Sequence, residues 1–286
     1  DGGFVVAWRD TSGHDGGSSN DVWARVFNAD GTESAEEFRV NADHYSGSQY
    51  QPSVGALSNG DFVVAWRDDS GGSHNDGTGT GSGYDVWARI LNADGTEVVD
   101  EFRVNSYTSS SQYEPEVVGL KGGGFVVTWR DDSGHDGGSG ADIWAQMYSN
   151  DGSVTLSDFR VNTYTSSTQQ DPSIVALEDG GFVVTWESSG QDSDGYGIYG
   201  QRYDVNGAAV GEEFQAHTET YSQQYDPTVA ASSDGGFVVA WSSYEVYQQL
   251  SSGFGVDYNI LGQRFHADGS TLLFGSSAKA VNVTAG

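Results

Sequence analysis

The sequence predicts an all-β fold, a single five-bladed β-propeller over residues 1–286. The string Phe-Val-Val-Ala/Thr-Trp occurs five times, 55 to 63 residues apart. Alternate residues of this string point to opposite faces, and both faces are apolar, so the sheet must be covered on both sides. A sheet that packs on copies of itself in this way is typical of a propeller blade. A β-sandwich or an open solenoid with the same number of strands is the alternative.

Each repeat supplies four strands in a fixed order. The innermost strand begins at one of the chain's four prolines, where proline costs least in a sheet: Pro52, Pro115, Pro172 and Pro227. The second strand is the repeated string, which begins at Phe4, Phe62, Phe125, Phe182 and Phe237. The third is an aromatic strand, which begins at Asp21, Asp85, Asp142, Gly197 and Asn259. The fourth begins at Glu37, Glu101, Asp158, Glu213 and, weakly, Lys279, after a turn rich in Asn-Gly and Asp-Gly.

These landmarks divide the chain into units of about 1–49, 50–112, 113–169, 170–224 and 225–286. The first unit begins after the position of its innermost strand, so we expect about 19 strands and an unpaired edge in blade 1. Such an edge favours pairing with another chain, and hence self-association. The absence of an initiator Met and of a signal peptide favours a fragment of a longer protein.

The charge excludes several partners. The chain carries 12 Lys and Arg against 41 Asp and Glu, a formal net charge of −29. This surface would repel the phosphates of nucleic acids and of anionic membranes, and no apolar run has the roughly 18 residues of a membrane-inserted helix. The absence of cysteine excludes disulfides, thiolate catalysis and cysteine-ligated metals.

The repeat also resembles a known family. Gly180–Trp186 reads GGFVVTW and Asp192–Tyr203 reads DSDGYGIYGQRY. Together with the EFRVN and Q-x-x-P segments, they resemble repeats found in very large secreted bacterial proteins, beside RTX-type calcium-binding nonapeptides and adhesin modules. This resemblance implies a secreted or surface-anchored bacterial protein.

The acidic, glycine-rich loops after the second strands are candidate calcium sites. Calcium prefers six to eight oxygen ligands, and glycine lets backbone carbonyls fold around the ion. An equally open interpretation is that these aspartates only cap turns. The predicted calcium ligands are Asp15, Asp21, Asp76, Asp85, Asp136, Asp142, Asp192 and Asp194.

Two further features concern ligands. Arg9, Arg67 and Arg130 each follow the repeated Trp, and we expect them to pair with acids, although sugar-binding pockets are the alternative. The last unit carries a long insertion, Tyr244–Asn259, in which we predict ligand-binding aromatics. These are Tyr244, Tyr247, Phe254 and Tyr258.

Signs of catalysis are weak in the sequence. The acids recur from blade to blade, and Glu187 and Glu245, which follow the repeated string, are interpreted as loop acids. We therefore predict a non-enzymatic extracellular adhesin-like module that binds calcium and a surface ligand such as a glycan. The alternatives are a structural spacer or self-assembling subunit, and a glycoside hydrolase with paired carboxylates on a five-bladed propeller.

Overall fold

The computed structural model describes residues 2–13, 20–42, 47–69, 83–218, 223–249 and 253–272, with the backbone alone at 245–257 within those ranges. The described residues form 18 β-strands and no helix. None of them therefore belongs to a helix long and apolar enough to cross a membrane.

The strands follow the predicted order, but each innermost strand begins three or four residues before its proline. In chain order they are β1 (Phe4–Asp10), β2 (Asp21–Phe27), β3 (Phe38–Arg39), β4 (Gln49–Ala56), β5 (Phe62–Asp68), β6 (Asp85–Leu91), β7 (Glu97–Arg103), β8 (Gln112–Gly119), β9 (Phe125–Asp131), β10 (Asp142–Tyr148), β11 (Val154–Arg160), β12 (Gln169–Ala176), β13 (Phe182–Ser189), β14 (Tyr196–Tyr203), β15 (Ala209–Gln215), β16 (Gln223–Ala231), β17 (Phe237–Gln249) and β18 (Gly253–Phe265).

These strands form five sheets, each in sequential order: β1–β3, β4–β7, β8–β11, β12–β15 and β16–β18. The predicted fold class, a five-bladed β-propeller, is confirmed. Among the described residues, blade 1 has three strands and no strand on the inner side of β1, as predicted. The fourth strand predicted at Lys279 lies outside the described residues.

The chain divides into two compact units. The first contains residues 1–133 and 144–159, and the second contains residues 134–143 and 160–286. In the first unit, the fully buried Trp66 of blade 2 packs with Val22 of blade 1. In the second, Trp241 of blade 5 packs with Leu177 of blade 4. In blades 2 and 5 the repeated Trp therefore stabilises the packing against the preceding blade. A single domain stays a prediction.

A bulge interrupts each innermost strand directly before its proline. Register shifts occur between Gln170 and Ser173 in β12, and between Tyr225 and Thr228 in β16. The residues at the bulges, Asp171 and Asp226, have φ angles of 51° and 52°, in the left-handed region that side chains other than glycine rarely adopt. A bulge re-aims its side chain, and both of these carboxylates line the same pocket.

Candidate active site

A pocket of about 350 Å³ lies within the second unit, between blades 4 and 5. Three carboxylates converge on it, from Asp171, Glu187 and Asp226. None of the described residues that line it is Lys or Arg. The remaining lining residues are Gln170, Tyr225, Ser242, Ser243, Tyr244 and Tyr258.

Glu187 is the most buried of these acids, with 1% of its surface exposed. Its Oε2 accepts a hydrogen bond from Nε2 of Gln170 at 2.9 Å, and its Oε1 accepts one from the backbone N–H of Asp226 at 2.7 Å. Burial raises the pKa of Glu187 to about 7, the two hydrogen bonds oppose that rise, and the charges of Asp171 and Asp226 add to it. Glu187 can therefore hold a proton near neutral pH beside two carboxylates.

The pocket occurs where the repeat changes. Glu187 occupies the position that is Arg in blades 1 to 3, and Ser242 occupies it in blade 5. Because β12 pairs Gln170 with Glu187 and β16 pairs Tyr225 with Ser242, both positions adjoin an innermost strand at its bulge. A small Ser in place of a long Arg leaves room next to Glu187.

Three tyrosine side chains line the pocket, those of Tyr225, Tyr244 and Tyr258. The rings of Tyr244 and Tyr258 lie 5.1 Å apart, and those of Tyr196 and Tyr225 lie 5.5 Å apart. Tyr258 is 75% exposed, which is unusual for a ring of its size. The insertion that carries Tyr244 and Tyr258 is no loop: β17 and β18 extend through it as a hairpin, paired as far as Gln249 with Gly253. The side chains of Tyr247 and Phe254 lie outside the described residues.

Three predicted calcium ligands have a structural partner. Asp21, Asp85 and Asp142 are buried, and the Oδ1 of each accepts a hydrogen bond from the side-chain amide of an asparagine at 2.6–2.9 Å. The side-chain oxygen of each asparagine accepts a hydrogen bond from the backbone N–H of the residue that follows the aspartate. The side-chain amide also donates a hydrogen bond to a glutamine in the innermost strand of the following blade. These asparagines are Asn41, Asn105 and Asn162.

The remaining predicted ligands do not converge. The side chain of Asp192 is buried and lies 3.7 Å from Nε2 of His217, whereas Asp194 is exposed. Asp136 forms an ion pair with Arg160 at 2.7 Å. Asp15 and Asp76 lie outside the described residues. In the described part of the chain, no group of three acids or histidines could hold a metal ion. Calcium binding stays a prediction.

The sequence interpretation of Glu187 as a loop acid is wrong. Glu187 lies inside β13 and is buried in the pocket, because β13 continues to Ser189. The interpretation that no acid stands out against its copies also overlooked a signal. Glu187 is the one carboxylate at a position that is otherwise Arg or Ser.

The chain matches no family model and no curated protein. Its fold is similar to that of an α-L-arabinanase from Penicillium chrysogenum complexed with arabinobiose, with 14% identity, a TM-score of 0.53, and coverage of 90% of this chain and 71% of that one. A protein of unknown function from Dyadobacter fermentans has 13% identity, a TM-score of 0.52, and coverage of 78% of this chain and 67% of that one. An endo-1,4-β-xylanase from Bacteroides thetaiotaomicron has 12% identity, a TM-score of 0.48, and coverage of 97% of this chain and 94% of that one.

These findings correct the family prediction. No family model supports the resemblance to RTX-type adhesin repeats, and the arabinanase of similar fold is a glycoside hydrolase. The predictions of an adhesin module and of a protein without enzymatic activity are therefore wrong. At these identities the likeness itself shows the fold, a five-bladed β-propeller.

Proposed function

We propose that the chain is a glycoside hydrolase whose active site is the pocket of Asp171, Glu187 and Asp226. The observation that carries the proposal is the convergence of a buried glutamic acid and two aspartates in one pocket beside tyrosine rings. Glycoside hydrolysis commonly uses two carboxyl groups, one that donates a proton and one that is ionised. The arabinanase of similar fold is consistent with this chemistry.

Glu187 is the general acid in this proposal. Its pKa of about 7 keeps a large fraction of it protonated near neutral pH, so it can give its proton to the oxygen of the leaving sugar as the glycosidic C–O bond breaks. The ionised carboxylate is supplied by Asp171 or Asp226. This carboxylate either takes a proton from the attacking water or itself attacks the anomeric carbon before water does.

The tyrosines position the sugar. Tyr244 and Tyr258 border the pocket, and the largely exposed ring of Tyr258 offers an apolar face of the kind on which a sugar ring stacks. Three carboxylates without a lining cation disfavour an anionic sugar in this pocket, because like charges repel at short range. We therefore expect a neutral glycan, such as an arabinan or a xylan.

The test is the release of reducing ends from arabinan, xylan and galactan by the full chain and by the variant Glu187→Gln. We expect hydrolysis of at least one substrate, and a loss of 100-fold or more in kcat for the variant, in which an amide replaces the acid. Glu212→Gln, at an exposed glutamate of β15, is the matched control and should retain the full rate. Equal rates for Glu187→Gln and the unmodified chain would remove Glu187 as the acid.

Two further variants assign the second carboxylate. Asp171→Asn and Asp226→Asn change the two bulge residues separately, and the larger loss identifies the group that acts on water or on the anomeric carbon. Azide restores activity to the variant of a nucleophile or base by taking its place. Rescue of neither variant by azide would contradict a direct role for these aspartates.

A further inference from the structure

A second group of aromatic and charged side chains lies in the first compact unit. The guanidinium of Arg67 lies 4.4 Å from the ring centroids of both Tyr50 and Tyr84, and 5.3 Å from that of Tyr113. The guanidinium of Arg9 lies 5.5 Å from the ring of Tyr50. These five residues are called the Arg–Tyr cluster below. Stacking on tyrosine holds each guanidinium plane in place and leaves its edge for hydrogen bonding.

Arg67 has no carboxylate partner among the described residues, whereas its counterpart Arg130 has two. The carboxylates of Asp132 and Glu114 lie 2.7 Å and 3.7 Å from Arg130. Among the described residues, Arg67 pairs with neither of the corresponding side chains. Gln51 occupies the position of Glu114 and carries no charge. Asp69 occupies the position of Asp132, but its carboxylate accepts a hydrogen bond from the backbone N–H of Ser48 instead.

The missing partners are unexpected in a chain of net charge −29. Where acids outnumber bases by more than three to one, an arginine that only stabilises the fold would readily find an acid, as Arg130 does. Arg67 instead has a buried Nε without a hydrogen bond. Arg9, on the other side of Tyr50, is exposed. Together they present two cations that lack an ion-pair partner within the described residues.

We propose that the Arg–Tyr cluster binds the carboxylate of an acidic sugar, such as a uronate residue in an oligosaccharide. A guanidinium and a carboxylate form paired, charge-assisted hydrogen bonds, and aromatic rings beside them exclude water. The choice of a glycan rather than an acidic peptide rests on the proposed function. The acidic remainder of the chain repels dense polyanions, so the cluster is suited to a glycan with few carboxylates.

The test is isothermal titration calorimetry of the full chain with tri-galacturonate, its methyl ester and tetra-glutamate, in a chelator so that calcium cannot bridge. We expect tri-galacturonate to bind at least tenfold more tightly than the other two. Arg67→Gln should weaken that binding tenfold or more, and Arg67→Lys, which keeps the charge but not the paired donors, should weaken it less. Arg130→Gln is the matched control and should change it less than threefold.

Three outcomes would overturn the proposal. They are equal affinity for the acid and its ester, equal affinity for tetra-glutamate, and unchanged binding by an Arg67→Gln variant of normal melting temperature. Glu187→Gln separates this site from the pocket, because it should lose hydrolysis and keep the binding of tri-galacturonate. A chain without hydrolase activity that still binds tri-galacturonate through Arg67 would refute the proposed function and leave this site.

Discussion

The residue after the repeated Trp has opposite chemistry in the two compact units. In the first unit it is Arg9, Arg67 or Arg130, stacked on tyrosines. In the second it is Glu187, which lies beside Asp171 and Asp226, or Ser242, which leaves space. In blades 2 to 5 the backbone around this position is the same, since the second strand pairs with the innermost strand in the same register. A repeated scaffold can therefore carry different sites through one position per blade.

The largest expected effect comes from restoring the repeat at Glu187. In Glu187→Arg the new cation lies beside Asp171, as Arg130 lies beside Glu114. We expect the fold to persist, because three blades hold Arg there, and hydrolysis to fall at least 1000-fold, because no proton donor remains. Initial rates and thermal melting measure the two effects. Activity within tenfold of the unmodified chain would contradict the assigned role.

The next effect is on stability as a function of pH. The pKa of Glu187 in the folded state, about 7, exceeds its ordinary value of 4.5, so the folded state binds more protons than the unfolded state between pH 4.5 and 7. Stability from this group is therefore present below pH 4.5 and is lost as pH rises through 7. Glu187→Gln cannot ionise and therefore avoids this loss of stability. At pH 8 the variant should be more stable than the unmodified chain by at most about 3 kcal/mol. Urea unfolding at pH 4 and pH 8 measures it, and an identical gain at both would refute the pKa shift.

A smaller effect tests the asparagine network that blades 1 to 3 share. Blade 4 has His217 and Gly197 where those blades have Asn and Asp, and His217 faces Asp192. Asn105→Ala removes the buried hydrogen bonds of Asn105 to Asp85 and to the backbone N–H of Val86, and should cost about 2 kcal/mol. Urea unfolding in calcium and in chelator measures the cost. A structural role predicts the same cost in both, whereas a loss confined to calcium would support the predicted metal site at Asp85.

The smallest effect concerns the ion pair of Arg130. Its side chain is partly exposed and pairs with Asp132 at 2.7 Å. Arg130→Gln should therefore cost at most about 1 kcal/mol, and less in high salt, which screens the charges. Urea unfolding at low and high ionic strength measures the cost of the variant and its dependence on salt. A cost that salt does not change would indicate that packing on Tyr113, rather than charge, holds Arg130 in place.

The sequence by itself determined the fold class and the order of strands in each blade. These follow from local patterns, since alternation, turn residues and proline positions act within a few residues and recur five times. The same regularity hid the site, because a substitution such as Glu187 is conspicuous only when the blades are aligned position by position.

Only the tertiary structure decided which acids lie together in one pocket. Glu187 and Asp226 are distant in sequence, and they meet because blades 4 and 5 pack side by side and the innermost strand of blade 5 bulges at Asp226. Burial of Glu187, which raises its pKa, likewise depends on that packing. The sequence shows a carboxyl group, but the three-dimensional surroundings decide whether it is a surface charge or an acid that holds a proton at neutral pH.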